Sequence, residues 1–171
     1  MAYDATPTRA GPVGLACKLI EFWALLGGLV LVGIVLMSTW SVFSSAVFGA
    51  PLPGDFEMVE VGCAVAAFAF LPYCQLTGAN VSADIFTARA GRRTVALLSL
   101  LAAVVALSFS LFLMWRMRAG MLDYQEYLET SAILGFPIWI AFIPILFSLA
   151  LLAVAALITL TDAARNVVAE R

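Results

Sequence analysis

The stretch TVALLSLLAAVVALSFSLFLMW, from Thr94 to Trp115, runs for 22 residues without a charged side chain. A helix rises about 1.5 Å per residue and the hydrocarbon core of a bilayer is roughly 30 Å thick, so about 20 apolar residues cross it. The run therefore predicts a transmembrane helix. The composition agrees, because 64% of the 171 residues are hydrophobic and 12% are charged, whereas about a quarter are charged in soluble domains.

Charged residues delimit three further apolar runs, two before this one and one after it. They predict a first span over Phe22–Phe48, a second over about Phe56–Gly78 and a fourth over about Ile133–Leu160. We therefore expect an all-α integral membrane protein with about four transmembrane helices. The expected organisation is a flexible cytoplasmic tail over residues 1–14, a four-helix membrane domain over 15–162 and a cytoplasmic C-terminal tail over 163–171.

The segment that follows the third span carries a stripe of apolar side chains. Met114, Met117, Met121, Tyr124 and Leu128 recur at intervals of three and four residues, which is the spacing of one helix face. Two structures fit this spacing. The segment is either an amphipathic helix in the membrane interface or an outward continuation of the third span.

Lys and Arg are distributed unevenly over the connections between the spans. Seven lie on the side that carries both termini, and Arg116 and Arg118 lie on the other. Cytoplasmic loops are enriched in Lys and Arg, so both termini are predicted to be cytoplasmic. The outer side then has a net charge of −4, which either follows from this orientation or marks a docking surface for an external partner. Its carboxylates are Asp55, Glu57, Glu60, Asp123, Glu126 and Glu129.

Residue usage argues against several classes of function. The chain has no His, which removes the commonest general base and metal ligand. Its three cysteines, Cys17, Cys63 and Cys74, form no CxxC pair or zinc spacing. There is no basic run with interleaved aromatic residues, so nucleic-acid binding is not indicated. We expect no catalytic residue, no metal and no cofactor, and hence a protein that is not an enzyme.

Two of the outer carboxylates stand at the start of the second span. Glu57 and Glu60 are three residues apart and therefore lie near one helix face. They either stabilise the helix terminus at a wet interface or fix a neighbouring helix or subunit through a polar contact. Glu21 lies near the inner end of the first span, whereas a proton or ion site would need a carboxylate near mid-membrane.

Two stretches, taken with the four-span plan, resemble a known family. The first is VFGAPLPGDFEMVE, from Val47 to Glu60, and the second is FLPYCQLTGANVSADIF, from Phe70 to Phe86. They are similar to the small membrane subunit of tripartite ATP-independent periplasmic (TRAP) transporters, the DctQ-like family. The resemblance covers roughly residues 15 to 162.

The resemblance also assigns candidate residues for contacts with partners and within the scaffold. Glu57 and Glu60 match the family's acidic entry to the second helix, and Pro137 and Trp139 look like its Pro-Trp entry to the last helix. The family closes the second helix on a Gly-x-His-x-x-x-Asp-like element. Its counterparts here are Gly78, Asn80 and Asp84. Asn80 stands where His is common, so the resemblance does not imply a titratable group there.

The resemblance implies a function as a scaffold in a bacterial inner membrane. The chain would bind a large membrane subunit that carries the substrate and sodium sites, and a periplasmic substrate-binding protein would deliver organic acids. Uptake would be driven by a sodium gradient without ATP, and membrane lipids would surround the complex. Candidates for docking the periplasmic protein are Asp123, Glu126 and Glu129. The alternative is a self-sufficient, homo-oligomeric four-helix exporter of small molecules.

Overall fold

The computed structural model describes residues 11–78 and 92–169, and its described part is built from helices. Their bounds are α1, Pro12–Phe48; α2, Asp55–Thr77; α3, Arg92–Glu126; a short 3₁₀ helix, Ile138–Ala141; and α4, Phe142–Ala169. Four of the described helices are long and apolar enough to cross a membrane. The prediction of an all-α protein with four spans is therefore confirmed.

The sequence accounts for the bounds of α1 and α2. Pro12 is the first residue of α1, a position where the missing backbone N–H is not needed. Both helices stop at a glycine in the left-handed conformation, Gly49 at φ 67° and Gly78 at φ 65°. This conformation lets the Gly49 N–H turn back and donate to the Ser45 carbonyl at 3.0 Å, which closes the last turn.

Two helix starts differ from those expected. The first helix begins at Pro12, ten residues before the predicted span and inside the segment assigned to the tail, because Lys18 and Glu21 are exposed on its surface and do not interrupt it. The last helix begins later than Ile133, since residues 127–137 form an irregular loop. At its other end α4 continues to Ala169, past the predicted boundary of the membrane domain.

The segment with the methionine stripe continues the third helix, because α3 extends without interruption to Glu126. Met114 and Met117 pack against a cluster of α4 side chains formed by Ile145, Leu149 and Leu152. Further along the stripe, Tyr124 packs its ring against Phe142 at a centroid distance of 5.3 Å. The stripe therefore belongs to an outward continuation of the third span and not to a separate amphipathic helix in the membrane interface.

The four helices pack in the spatial order α1, α2, α4, α3. Each packs along its neighbours in this order, and α1 also touches α4 over a short stretch. The burial of α4 shows its inner position. In its most apolar stretch of 18 residues, 39% is buried inside the protein, against 17% or less in the other three helices. As a result, α1 and α3 form the two edges of the array and expose long apolar faces.

Small residues bring α1 and α2 into close contact. A Cβ atom placed on Gly27 would come within 2.8 Å of the Ala69 Cβ and 3.5 Å of the Ala66 carbonyl oxygen. Gly62 of α2 likewise lies against the side chain of Ile34. Small residues at these positions let the two backbones approach, which is how van der Waals packing holds helices together in lipid.

The two ends of the array differ in charge. The turn over residues 49–54 and the loop over 127–137 lie at one end, which we call the acidic end because it carries Asp55, Glu57, Asp123, Glu126 and Glu129. From this end α2 runs for 23 residues, or about 34 Å, which is close to the thickness of a bilayer core. The described starts of α1 and α3 and the end of α4 lie at the opposite end.

Candidate functional site

Glu57 fastens the loop between α3 and α4 onto the start of α2. Its Oε2 atom accepts hydrogen bonds from the Ser131 hydroxyl at 2.5 Å and the Leu134 N–H at 3.1 Å. Its Oε1 atom accepts from the Ile133 N–H at 2.8 Å. One carboxylate therefore satisfies two backbone donors that the irregular loop leaves without a helical partner, and it sets the position of this loop.

The loop is also cross-linked by its own backbone. The Ser131 N–H donates to the Phe136 carbonyl at 2.9 Å, and the Ile138 N–H donates to the Glu129 carbonyl at 3.3 Å. Thr130 and Pro137 face each other in an isolated antiparallel bridge. Pro137 is also the residue that precedes the 3₁₀ helix, and Trp139 lies half-buried within this helix. The sequence-predicted entry at Pro137 thus begins the 3₁₀ helix, and α4 starts five residues later.

A second polar contact ties α1 to α2 at the acidic end. Ser41 is 2% exposed, and its hydroxyl donates to the Asp55 Oδ2 at 2.6 Å while accepting from the Leu52 N–H at 3.2 Å. This side chain holds the turn over residues 49–54 against the end of α1. Sequence reasoning missed Ser41, because a single hydroxyl in an apolar run can also bond within its own helix.

Glu60 differs from Glu57 although the two are three residues apart. It is exposed and forms no hydrogen bond or ion pair with any described residue. The physical reason is the position of the loop over residues 127–137. Its hydrogen-bond donors reach only the first turn of α2, whereas Glu60 lies almost one turn further along the helix. The structure therefore does not bring the two candidate carboxylates into one site.

Asp123, Glu126 and Glu129 are all exposed at the acidic end. The first two lie in the last turns of α3, and Glu129 lies in the loop that Glu57 holds. Beside them Leu128 has a positive φ of 50° and is 81% exposed. The three carboxylates are thus exposed at a helix end and on a cross-linked loop.

Two further hydrogen bonds connect helices within the array. Trp23 of α1 donates from its indole Nε1 to the Ser148 hydroxyl of α4 at 2.8 Å, and its ring meets Phe147 edge-on at a centroid distance of 4.6 Å. The Gln75 amide of α2 donates to the Thr159 hydroxyl of α4 at 3.1 Å. Both donors bond across helices, as polar groups in lipid tend to do.

The end of α2 carries the first residue of the family's closing element. Gly78 is the left-handed residue that terminates α2. Asn80 and Asp84 lie outside the described residues. Within residues 11–78 and 92–169, no group of three His, Cys, Asp or Glu side chains is placed to hold a metal ion. The candidate functional features of the described part are therefore surfaces and polar contacts between helices.

Comparison with known proteins identifies the family. A family model described as the DctQ component of tripartite ATP-independent periplasmic transporters matches residues 34–166. No curated protein and no solved structure gives a significant match. The matched region includes the acidic-end turn, the Glu57 network, α2, α3 and most of α4, and it covers more than half of the chain. The chain therefore belongs to the DctQ family of small TRAP-transporter components.

Proposed function

We propose that this chain is the membrane scaffold subunit of a sodium-driven, ATP-independent uptake system for organic acids. It binds and stabilises a large transport subunit in the bacterial inner membrane, with both termini in the cytoplasm. The observation that carries the proposal is its membership of the DctQ family over residues 34–166. The acidic end then faces the periplasm, in agreement with the distribution of Lys and Arg.

The open shape of the helix array supports a scaffold that works in a larger assembly. Each of the edge helices packs chiefly against one neighbour, α1 against α2 and α3 against α4. Their outward faces are apolar, with Leu29 and Leu36 exposed on α1 and Phe109 and Leu101 on α3. These faces are compatible with lipid and with the apolar helices of a large membrane subunit.

Glu60 is the proposed contact to the large subunit on α2. It is five positions past the start of this helix at Asp55, so it lies about 7 Å towards the membrane interior. A carboxylate at this depth is costly unless a cation or several donors compensate its charge. Because phospholipid phosphates are themselves anionic, a Lys or Arg of the partner is the appropriate counter-charge.

The remaining candidates fall into three groups within this proposal. Glu57, Pro137 and Trp139 set the shape of the acidic end, where the large subunit meets the loop. Gly78, Asn80 and Asp84 belong to the cytoplasmic end of the same interface. Asp123, Glu126 and Glu129 form a docking surface for the periplasmic substrate-binding protein, with charge steering its approach.

Co-expression and purification test this function. The chain is tagged, expressed with and without the genes next to its own, and isolated in a mild detergent. Co-purification of a large hydrophobic protein of about twelve spans, together with sodium-dependent organic-acid uptake that requires both chains, supports the scaffold. Isolation of the chain as a stable homo-oligomer in both cases, with transport by this chain alone, would overturn it in favour of a self-sufficient exporter.

A further inference from the structure

We propose that Arg116 and Arg118 of α3 bind the phosphate groups of phospholipids in the leaflet at the acidic end, one on each flank of the helix. Both side chains are exposed, and neither forms a hydrogen bond or ion pair with any described residue. The inference rests on the membrane-spanning register of α3 and is independent of the transported substrate.

The two arginines lie well inside the array, away from its end. They precede the last residue of α3, Glu126, by ten and eight residues, which correspond to about 15 and 12 Å of helix. The contacts to α4 agree, because Gly120 lies against the ring of Phe142, the first residue of α4. Arg116 is a further helical turn towards the membrane interior from this contact.

The side chain between the arginines packs into the interior of the array. Met117 packs against the α4 cluster of Ile145, Leu149 and Leu152, which also contacts Val65 and Phe68 of α2. The arginines therefore flank a side chain that lies in the packed apolar interior of the array and not at its wet end.

A guanidinium at this depth needs an anion. Arg remains protonated at any physiological pH, and leaving its charge in hydrocarbon is costly, so such side chains extend towards the headgroups. On α3 the next carboxylate in the outward direction is Asp123, seven residues beyond Arg116, or about 10 Å away along the axis. A phosphate matches the planar guanidinium with two parallel hydrogen bonds.

The positions of the arginines around the helix favour lipid over a partner protein. Two residues correspond to about 200° of rotation, so Arg116 and Arg118 project from opposite flanks of α3. Met117, between them, faces α4. A single partner helix lies against one flank only, whereas phospholipids surround the free circumference of an edge helix.

The surface below Arg116 is suited to acyl chains. Phe112 and Trp115 pair their rings at a centroid distance of 6.2 Å and expose 57% and 67% of their surface. Both lie towards the membrane interior from the arginines in the register of α3. A phospholipid held by its phosphate would lay its chains along these rings, so polar and apolar parts of the ligand each find a complementary surface.

Lipid titration followed by native mass spectrometry tests the proposal. The purified protein, alone or in its complex, is delipidated in detergent and titrated with phosphatidylglycerol or with digalactosyldiacylglycerol, which has no phosphate. We expect two retained phosphatidylglycerol molecules and a much weaker affinity for the glycolipid. R116Q and R118Q should each lose one of the two, with at least about a tenfold weaker affinity at the altered site, as expected for a charge-assisted pair.

Matched variants make the result decisive. R116K/R118K retains the charges and should keep part of the affinity, and R165Q removes an exposed arginine near the end of α4 without affecting these two lipids. Unchanged lipid number and affinity in R116Q/R118Q would overturn the proposal. Equal retention of the glycolipid, or an equal loss in R165Q, would do the same. Thermal unfolding of each variant identifies any that has lost its fold. If R116Q/R118Q is among them, the single variants R116Q and R118Q are compared with R165Q, and an unchanged lipid number and affinity in both would overturn the proposal.

Discussion

The contact between α1 and α2 predicts that adding one methyl group at Gly27 weakens the helix array. The new Cβ of Gly27→Ala would stand 2.8 Å from the Ala69 Cβ, whereas carbon atoms in ordinary contact are about 3.5–4.0 Å apart. The helices must therefore move apart by about 1 Å, because a Cβ atom has no rotamer that takes it out of the way. Overpacking of this kind costs about 1–3 kcal/mol.

Gly28→Ala is the matched control, because it lies next to Gly27 in the same helix and its added Cβ meets no atom within 4 Å. Replacing Gly by Ala inside a helix contributes about 1 kcal/mol of stability at either position. The control should therefore stabilise the protein by about that amount. The free energy of unfolding of Gly27→Ala should fall below that of Gly28→Ala by about 1–3 kcal/mol.

Equilibrium unfolding in mixed micelles with increasing dodecyl sulfate, followed by helical circular dichroism, measures both free energies. A compensating change gives a second test. The variant G27A/A69G removes the Cβ that the new methyl group meets, and the next atom, the Ala66 carbonyl oxygen, lies at an ordinary 3.5 Å. It should recover most of the loss beyond the cost of the new helical glycine. Equal stabilities of Gly27→Ala and Gly28→Ala would refute the reasoning.

Three further predictions concern polar side chains. Trp23→Phe removes the indole donor but keeps an aromatic ring. The free energy of unfolding should therefore fall by about 0.6–1.7 kcal/mol in the same assay. No change would show that the hydrogen bond to Ser148 of α4 is not formed in the membrane. Glu57→Gln should speed hydrogen exchange in the loop over residues 127–137, whereas Glu60→Gln should leave it unaltered. In transport assays, E126Q/E129Q should slow uptake at low salt and reduce its dependence on ionic strength, and uptake unchanged at every salt concentration would exclude a docking role for these carboxylates.

The number and type of spans followed from the sequence, because the free energy of placing a helix in lipid depends on its own residues. An uncharged run such as Thr94–Trp115 is long enough to cross the bilayer whatever its neighbours are. The exact ends of the helices could be predicted less well from the sequence. The sequence predicts a first span that begins at Phe22, after Glu21, yet the helix continues through Lys18 and Glu21, which are exposed on its surface.

Only part of the candidate site could be predicted from the sequence, as Glu57 and Glu60 illustrate. Their spacing places both near one face of α2, and nothing in the sequence separates them. Ser131 lies 74 residues further along the chain. Only the position of its loop shows that the Glu57 carboxylate accepts hydrogen bonds while Glu60 is exposed. Contacts over such sequence separations depend on how helices pack, which local patterns do not encode.

By itself, then, the sequence determined an all-helical membrane protein of four spans with a resemblance to the DctQ family. The tertiary structure decided the order α1, α2, α4, α3, the inner position of α4 and the depth of Arg116. The physical reason is that lipid tolerates apolar side chains on every face of a helix, so hydropathy does not reveal which face packs. Close approaches at small residues such as Gly27, and polar bonds between helices, select one arrangement.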